Sequence, residues 1–154
     1  MLEFTRLNPY RELPDAFKAL SALEAAVAKS GLDAGLLDLV RTRVSQLNGC
    51  AFCLDMHQHD ARKRGESQQR LDVLAGWRDA NLYSARERAA LGLAESLTLV
   101  ATRGFSEAAW EEAHKAFPPA ELSALLFAIA SINSWNRLQI AGGGQPPKRD
   151  GAES

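Results

Sequence analysis

The 154 residues contain only two cysteines, three apart in Cys50-Ala51-Phe52-Cys53-Leu54-Asp55-Met56-His57. A disulfide between them would close too short a loop to staple a fold. Redox chemistry or metal binding is the better reading of such a pair. On a helix, positions three and four apart are neighbours. Cys50, Cys53 and His57 then share one face, with the sulfurs in reach of a disulfide once the first turn relaxes slightly. The imidazole sits one turn below the second sulfur. Asn48-Gly49 breaks the preceding pattern and puts both cysteines in a first turn, where unpaired N–H groups favour negative charge. A thiolate there has a lowered pKa, and the thiolate is the reactive form. An imidazole beside it can take or relay the proton. The second thiol can trap an oxidised first thiol before over-oxidation. The helix terminus favours Cys50 as nucleophile and the imidazole favours Cys53, so spacing leaves the order of attack open.

Three other uses of the segment compete with this one. Zinc could take both sulfurs with His57 as third ligand, but no fourth ligand stands at zinc-like spacing. His59 points from another helix face, toward solvent or a neighbouring helix, and His114 is distant. No metal or other cofactor is therefore expected. A thioredoxin-type domain needs strands around the motif, and none is visible. Two inert core cysteines are the third alternative, weakened by His57 on the same face.

The elements that position this segment read as successive helices. Phe17, Leu20, Leu23 and Val27 form one apolar face over 14–30, with Gly31 as the stop. Asp33 can cap a helix carrying Leu36, Leu37, Val40, Val44 and Leu47. A third helix runs from about Cys50 to Arg64 and ends at Gly65. Ser67 can cap a short helix through Leu71 and Leu74. Ser84-Ala85-Arg86-Glu87 is a capping box opening a helix through Ala101, stopped by Gly104. Ser106 can cap a helix carrying Trp110 and Phe117. Pro118-Pro119 opens the last helix, with Leu122, Leu125, Leu126, Ile129 and Ile132. Only the first dozen residues look extended. The fold class is all-α, in about six to seven helices. Residues 1–140 form the expected single domain. The run from Ala141, with three successive glycines and two prolines, is expected to be a disordered tail over 141–154.

Net charge is −1, which gives no electrostatic footprint for nucleic acid or an anionic membrane surface. No apolar stretch is long enough to span a bilayer. The N-terminus lacks a basic region followed by an apolar run. The cytoplasm is the expected compartment.

The stretch Asp38-Leu39-Val40-Arg41-Thr42-Arg43-Val44-Ser45-Gln46-Leu47-Asn48-Gly49 and the cysteine segment after it closely resemble the alkylhydroperoxidase D-like, carboxymuconolactone decarboxylase family. So do Asp60-Ala61-Arg62, Gly65-Glu66, Arg86-Glu87-Arg88-Ala89-Ala90-Leu91, Ile132-Asn133-Ser134-Trp135-Asn136-Arg137 and Phe4-Thr5-Arg6-Leu7. The resemblance implies an all-helical fold assembling into homo-oligomers, trimers or hexamers; the apolar last helix agrees. It implies a peroxidase in which Cys53 attacks the peroxide, Cys50 resolves the sulfenic acid into a disulfide, and His57 relays the proton with an upstream carboxylate. That carboxylate falls on Asp38, one methylene shorter than the family's usual glutamate, so a relay through it needs a closer backbone or a water. The structural alternative for Asp38 is an exposed helix residue. Between the cysteines stands Phe52, where the alkylhydroperoxidase D enzymes proper can carry histidine, which places the chain in the broader family. Trp135 reads as a core or interface anchor or as a wall of the thiol pocket.

The leading expectation is an alkylhydroperoxidase-like oxidoreductase. It would reduce hydrogen peroxide or organic hydroperoxides through a Cys50–Cys53 disulfide, with an unidentified dithiol or protein reductant as partner. One alternative is a non-enzymatic redox sensor or binding module. The other is a muconolactone-type decarboxylase, whose chemistry has no need of a vicinal dithiol.

Overall fold

The computed structural model describes residues 3–148. Among them are nine α-helices: α1 (Pro9–Glu12), α2 (Pro14–Ala28), α3 (Ala34–Asn48), α4 (Ala51–Lys63), α5 (Gln68–Asp72), α6 (Ala85–Thr98), α7 (Val100–Arg103), α8 (Glu107–Ala116) and α9 (Pro119–Gly142). A 3₁₀ turn at Leu74–Gly76 and one antiparallel pair, β1 (Glu3–Phe4) with β2 (Gly144–Gln145), complete the described chain. Among the described residues, no helix is long and apolar enough to cross a membrane.

The caps explain most boundaries. Asp33 accepts the Leu36 N–H at 2.8 Å and starts α3. Ser84 and Glu87 make the reciprocal box that starts α6, and Ser106 accepts from Ala109 to start α8. Three details differ from expectation. Ser67 stands at the N-cap of α5 but its hydroxyl caps nothing; instead its own N–H donates to Glu66 at 2.8 Å. The helix expected to reach Ala101 breaks at Leu99 into α6 and α7. The first dozen residues are not uniformly extended, because Asn8 accepts from Tyr10 and Arg11 and, with Pro9 in the first turn, forms α1.

α3 is the central helix, packed against α4, α6 and α9, while α2 lies on α9 and α8 on α6. One core joins Val40 and Val44 of α3, Leu93 of α6 and Leu125, Ile129 and Ile132 of α9. This core absorbs the apolar face of α9 within a single chain; Phe127, Leu138 and Ile140 remain exposed. A smaller cluster of Leu39, Leu71, Leu74, Trp77 and Leu91 sits under the α4–α6 connection. The face of α2 is less covered: Val27 is buried, but Phe17 is 40% exposed.

The segment from Ala141 begins with structure rather than a tail. α9 continues through Gly142, and Gly144–Gln145 pairs with Glu3–Phe4. Its glycines serve close approach. A Cβ on Gly142 would lie 2.5 Å from the Leu7 carbonyl oxygen. Gly143 has φ +75°, the left-handed cap of α9. Arg6 donates to the carbonyls of Ile140 and Ala141, satisfying the end of the helix. Residues 3–7 are thus locked to residues 140–145. Residues 149–154, also assigned to the tail, lie outside the described residues.

Candidate active site

The cysteine segment is set by a turn pinned from both sides. Gly49, at φ +70°, ends α3, and the Cys50 N–H returns to the Ser45 carbonyl at 3.1 Å. Asn48 donates to Asn133 at 3.0 Å and to Asn136 at 2.9 Å, while Asn136 donates to Ser45 at 3.0 Å. The polar residues of the Asn133–Asn136 stretch therefore hold the turn that launches α4. Cys50 is the N-cap of α4, one residue outside the helix where a first-turn position was expected. Its Sγ accepts the Cys53 N–H at 3.4 Å. The two cysteines are joined as a disulfide, with Cα atoms 5.4 Å apart.

A cavity of about 390 Å³ opens beside this bond, lined by Cys53, His57 and Asp38. Of the two cysteines only Cys53 lines it. Three of the four expected site residues thus meet at one cavity, and the fourth is bonded to one of them from behind. Asp38 is 3% exposed, so the reading of it as a surface residue fails. It accepts from Arg64 Nη1 at 2.7 Å. Burial pushes its carboxyl above the ordinary value, and the positive charges of Arg64 and Arg41 offset only part of that. His57 is also buried, and its Nε2 has no hydrogen-bond partner. Burial first, and the charges of Arg41 and Arg64 second, hold its pKa down to about 3. At neutral pH this imidazole is uncharged, and its Nε2 is a hydrogen-bond acceptor.

Several lining residues were not singled out from sequence. Arg41 pairs with Glu24 at 2.6 Å, and Glu24 also accepts from Trp135 Nε1 at 3.2 Å, tying α2 to α9. Tyr10 and Phe17 meet Trp135 edge-on, with ring centroids 5.5 and 5.9 Å apart. Trp135 therefore walls the pocket and also packs against the main core, so both of its readings apply. The Tyr10 hydroxyl and the Gln139 amide are buried beside one another on the lining. Burial pushes Tyr10 up to about 12, against the neighbouring Gln139 amide. A signal existed for part of this set. Cys53, His57, Asp60 and Arg64 continue one helical face at spacings of four, three and four, and Arg41 follows Asp38 by three. Tyr10 offered none, because it arrives through the junction of the chain ends.

The family model for the carboxymuconolactone decarboxylase family matches residues 14–96. The uncharacterized protein YdfG of Bacillus subtilis is 37% identical over 138 residues, covering 90% of this chain and 94% of that protein. A crystal structure from Agrobacterium tumefaciens, of a protein of unknown function put forward as the antioxidant defence protein AhpD, is similar at 38% identity and a TM-score of 0.90. That match covers 94% of this chain and 99% of the other. An uncharacterized peroxidase-related protein from Ralstonia eutropha, described as an alkylhydroperoxidase AhpD core, shares the fold at 22% identity. Its TM-score is 0.78, over 90% of this chain and 74% of that one. Tyr10, Trp135 and Gln139 lie outside the span of the family model.

Proposed function

The chain belongs to the carboxymuconolactone decarboxylase family, and from that premise we propose that it is a thiol-dependent peroxidase cycling through the Cys50–Cys53 disulfide. The observation that carries this reading is the asymmetry of the pair: Cys53 faces a cavity shared with His57 and Asp38, while Cys50 caps the helix behind it. As the reduced protein meets the hydroperoxide, the Cys53 thiol passes its proton by way of His57 Nε2 in concert with attack. The thiolate attacks the terminal oxygen of the hydroperoxide and the O–O bond breaks. The departing alkoxide, or hydroxide for hydrogen peroxide, takes up that proton, and Cys53 becomes a sulfenic acid. The Cys50 thiolate then attacks the Cys53 sulfur and expels hydroxide, which leaves as water after protonation. Asp38, one helix over and on the same cavity, receives or returns protons through His57 or a water.

A dithiol supplies two electrons to close the cycle. Its first thiolate attacks Cys53, the sulfur on the cavity, and expels Cys50; its second thiolate then attacks the donor sulfur of the mixed disulfide and releases Cys53, leaving the donor as a disulfide. The leaving thiolate is stabilised where the Cys53 N–H already points at Cys50 Sγ, and a lower-pKa sulfur leaves faster. We read the protein as a homo-oligomer of the cytoplasm; the exposed Phe127, Leu138 and Ile140 on α9 support the assembly.

The test is peroxide consumption with dithiothreitol or dihydrolipoamide as donor. Wild type should turn over and Cys53→Ser should not. Cys50→Ser should still oxidise once, leaving a sulfenic acid on Cys53 that dimedone labels. Labelling at Cys50 in Cys53→Ser, with none at Cys53 in Cys50→Ser, would reverse the order of attack. A wild type that forms the disulfide but consumes no peroxide with either donor would leave a redox sensor instead.

A further inference from the structure

We infer that the cavity beside Cys53 is a binding site for an uncharged, ring-bearing organic molecule, its substrate being an aryl-substituted hydroperoxide rather than hydrogen peroxide; the second half rests on the peroxidase reading. Size is the first argument. At about 390 Å³ the cavity is more than ten times the roughly 30 Å³ that one water occupies in the liquid. Hydrogen peroxide, barely larger than water, would be held by almost nothing there.

The walls decide the rest of the chemistry. Tyr10, Phe17 and Trp135 interlock edge to face on one side, and Ile132 and Met56 contribute apolar surface. Such surfaces favour a ring, because aromatic pairs gain from offset and edge-to-face contact beyond the area they bury. Charge is balanced within the lining: Arg41 is matched by Glu24 and Arg64 by Asp38, and Asp60 adds a further negative charge. A carboxylate or phosphate on the ligand would find no uncompensated cation. One lining residue, His57, keeps its Nε2 buried without a hydrogen-bond partner. An unpaired buried acceptor is costly, and a ligand O–H, of a hydroperoxide or of its alcohol, would satisfy it.

The reaction balances on this ligand. Cys53 thiolate takes the terminal oxygen and the O–O bond breaks. The aryl-substituted alkoxide gains one proton to leave as the alcohol, and the dithiol provides the two electrons that return the disulfide to thiols.

Two measurements separate this inference from the peroxidase reading. The first is calorimetric binding of 2-phenyl-2-propanol, the alcohol product of cumene hydroperoxide, to the disulfide form. Binding is expected, at least tenfold weaker for the same alcohol carrying a para-carboxylate, and at least tenfold weaker in Trp135→Ala. Phe17→Ala, at the half-open rim, should weaken it too and serves if Trp135→Ala does not fold. The second is turnover. Cumene hydroperoxide should exceed hydrogen peroxide at least tenfold in kcat/KM, with Trp135→Ala or Phe17→Ala bringing the ratio toward one. No alcohol binding, equal binding of the carboxylate, or a hydrogen peroxide kcat/KM as high as that of cumene hydroperoxide would overturn the inference. Alcohol binding without consumption of either peroxide would leave the ring site standing and sink the peroxidase reading alone.

Discussion

Asp38 and Glu95 are both carboxylates sunk among the helices, 3% and 6% exposed, yet their surroundings treat them oppositely. Burial alone would raise the Glu95 carboxyl. Hydrogen bonds from Arg78, from Trp77 Nε1 at 2.8 Å and from Arg43 Nε at 2.8 Å outweigh it and hold the group below its ordinary value. Asp38 has one guanidinium, Arg64, whose side chain is half exposed, and burial wins. The two sites hang from opposite sides of α3, since Arg41 and Arg43, two residues apart, do not face each other. One side is a saturated network with no proton left to move. The other faces a cavity where His57 Nε2 is unpaired and the Asp38 carboxyl is held above its ordinary value. We read saturation as the mark of a structural carboxylate and incompleteness as the mark of the carboxylate proposed for the relay.

The sharpest way to break this contrast is Glu95→Ala. It leaves Trp77 Nε1 without its acceptor and the mostly buried Arg43 with only Gln46. Removing one partner of a buried ion pair costs about 3–5 kcal/mol, to be read from urea unfolding. Turnover per folded molecule should stay near wild type. Activity lost beyond the folded fraction would show that the network reaches the cavity and erase the distinction.

His57→Ala should do the reverse. Loss of a positioned proton-transfer group slows reaction by about a hundredfold, roughly 2.7 kcal/mol, while folding at neutral pH is largely kept. An unchanged rate of Cys53 oxidation would leave the helix terminus as the sole activator of the thiol.

The same imidazole gives a pH signature. Its folded pKa, about 3, lies below the ordinary 6.5. Between those values the unfolded chain binds a proton that the folded chain does not. Stability from this group is therefore present above pH 6.5 and is lost as pH falls toward 3. The slope approaches about 1.4 kcal/mol per pH unit around pH 5 to 6. Urea titrations of the disulfide form across that interval should show it, and His57→Gln should remove it. An equal slope in the variant would place the acid sensitivity elsewhere.

What the sequence made legible follows the range of the interactions. The Cys50–Cys53–His57 face depends on spacings of three and four within one helix, and the caps at Asp33, Ser84 and Ser106 on contacts three residues apart, so both could be read locally. The placement of Cys50 as cap rather than first-turn residue was a one-residue matter of boundary. Three glycines after Ala141 look like a linker by composition. They are a packing seam only because Thr5–Leu7 presses against them from the other end of the chain. Tyr10 reaches the cavity through that junction, so no local pattern could announce it. Asp38 was found through resemblance alone; its burial depends on α4 and α9 closing over α3.

Asp38→Asn is the smallest expected effect and the finest test of the contrast. The amide keeps the volume of the carboxylate, and Arg64, half exposed, can turn to water, so stability should change by no more than about 1 kcal/mol. Without the carboxylate, the charges of Arg41 and Arg64 bear on His57 with less compensation, and the imidazole becomes a poorer acceptor. Peroxide reduction should slow several-fold, less than in His57→Ala. The decisive variant is the double one. If Asp38 acts through His57, then once His57 is alanine, Asp38→Asn has nothing further to remove, and the double variant matches His57→Ala. Two groups acting separately would give additive losses. Additivity would detach Asp38 from the relay and leave it, like Glu95, a carboxylate that holds helices together.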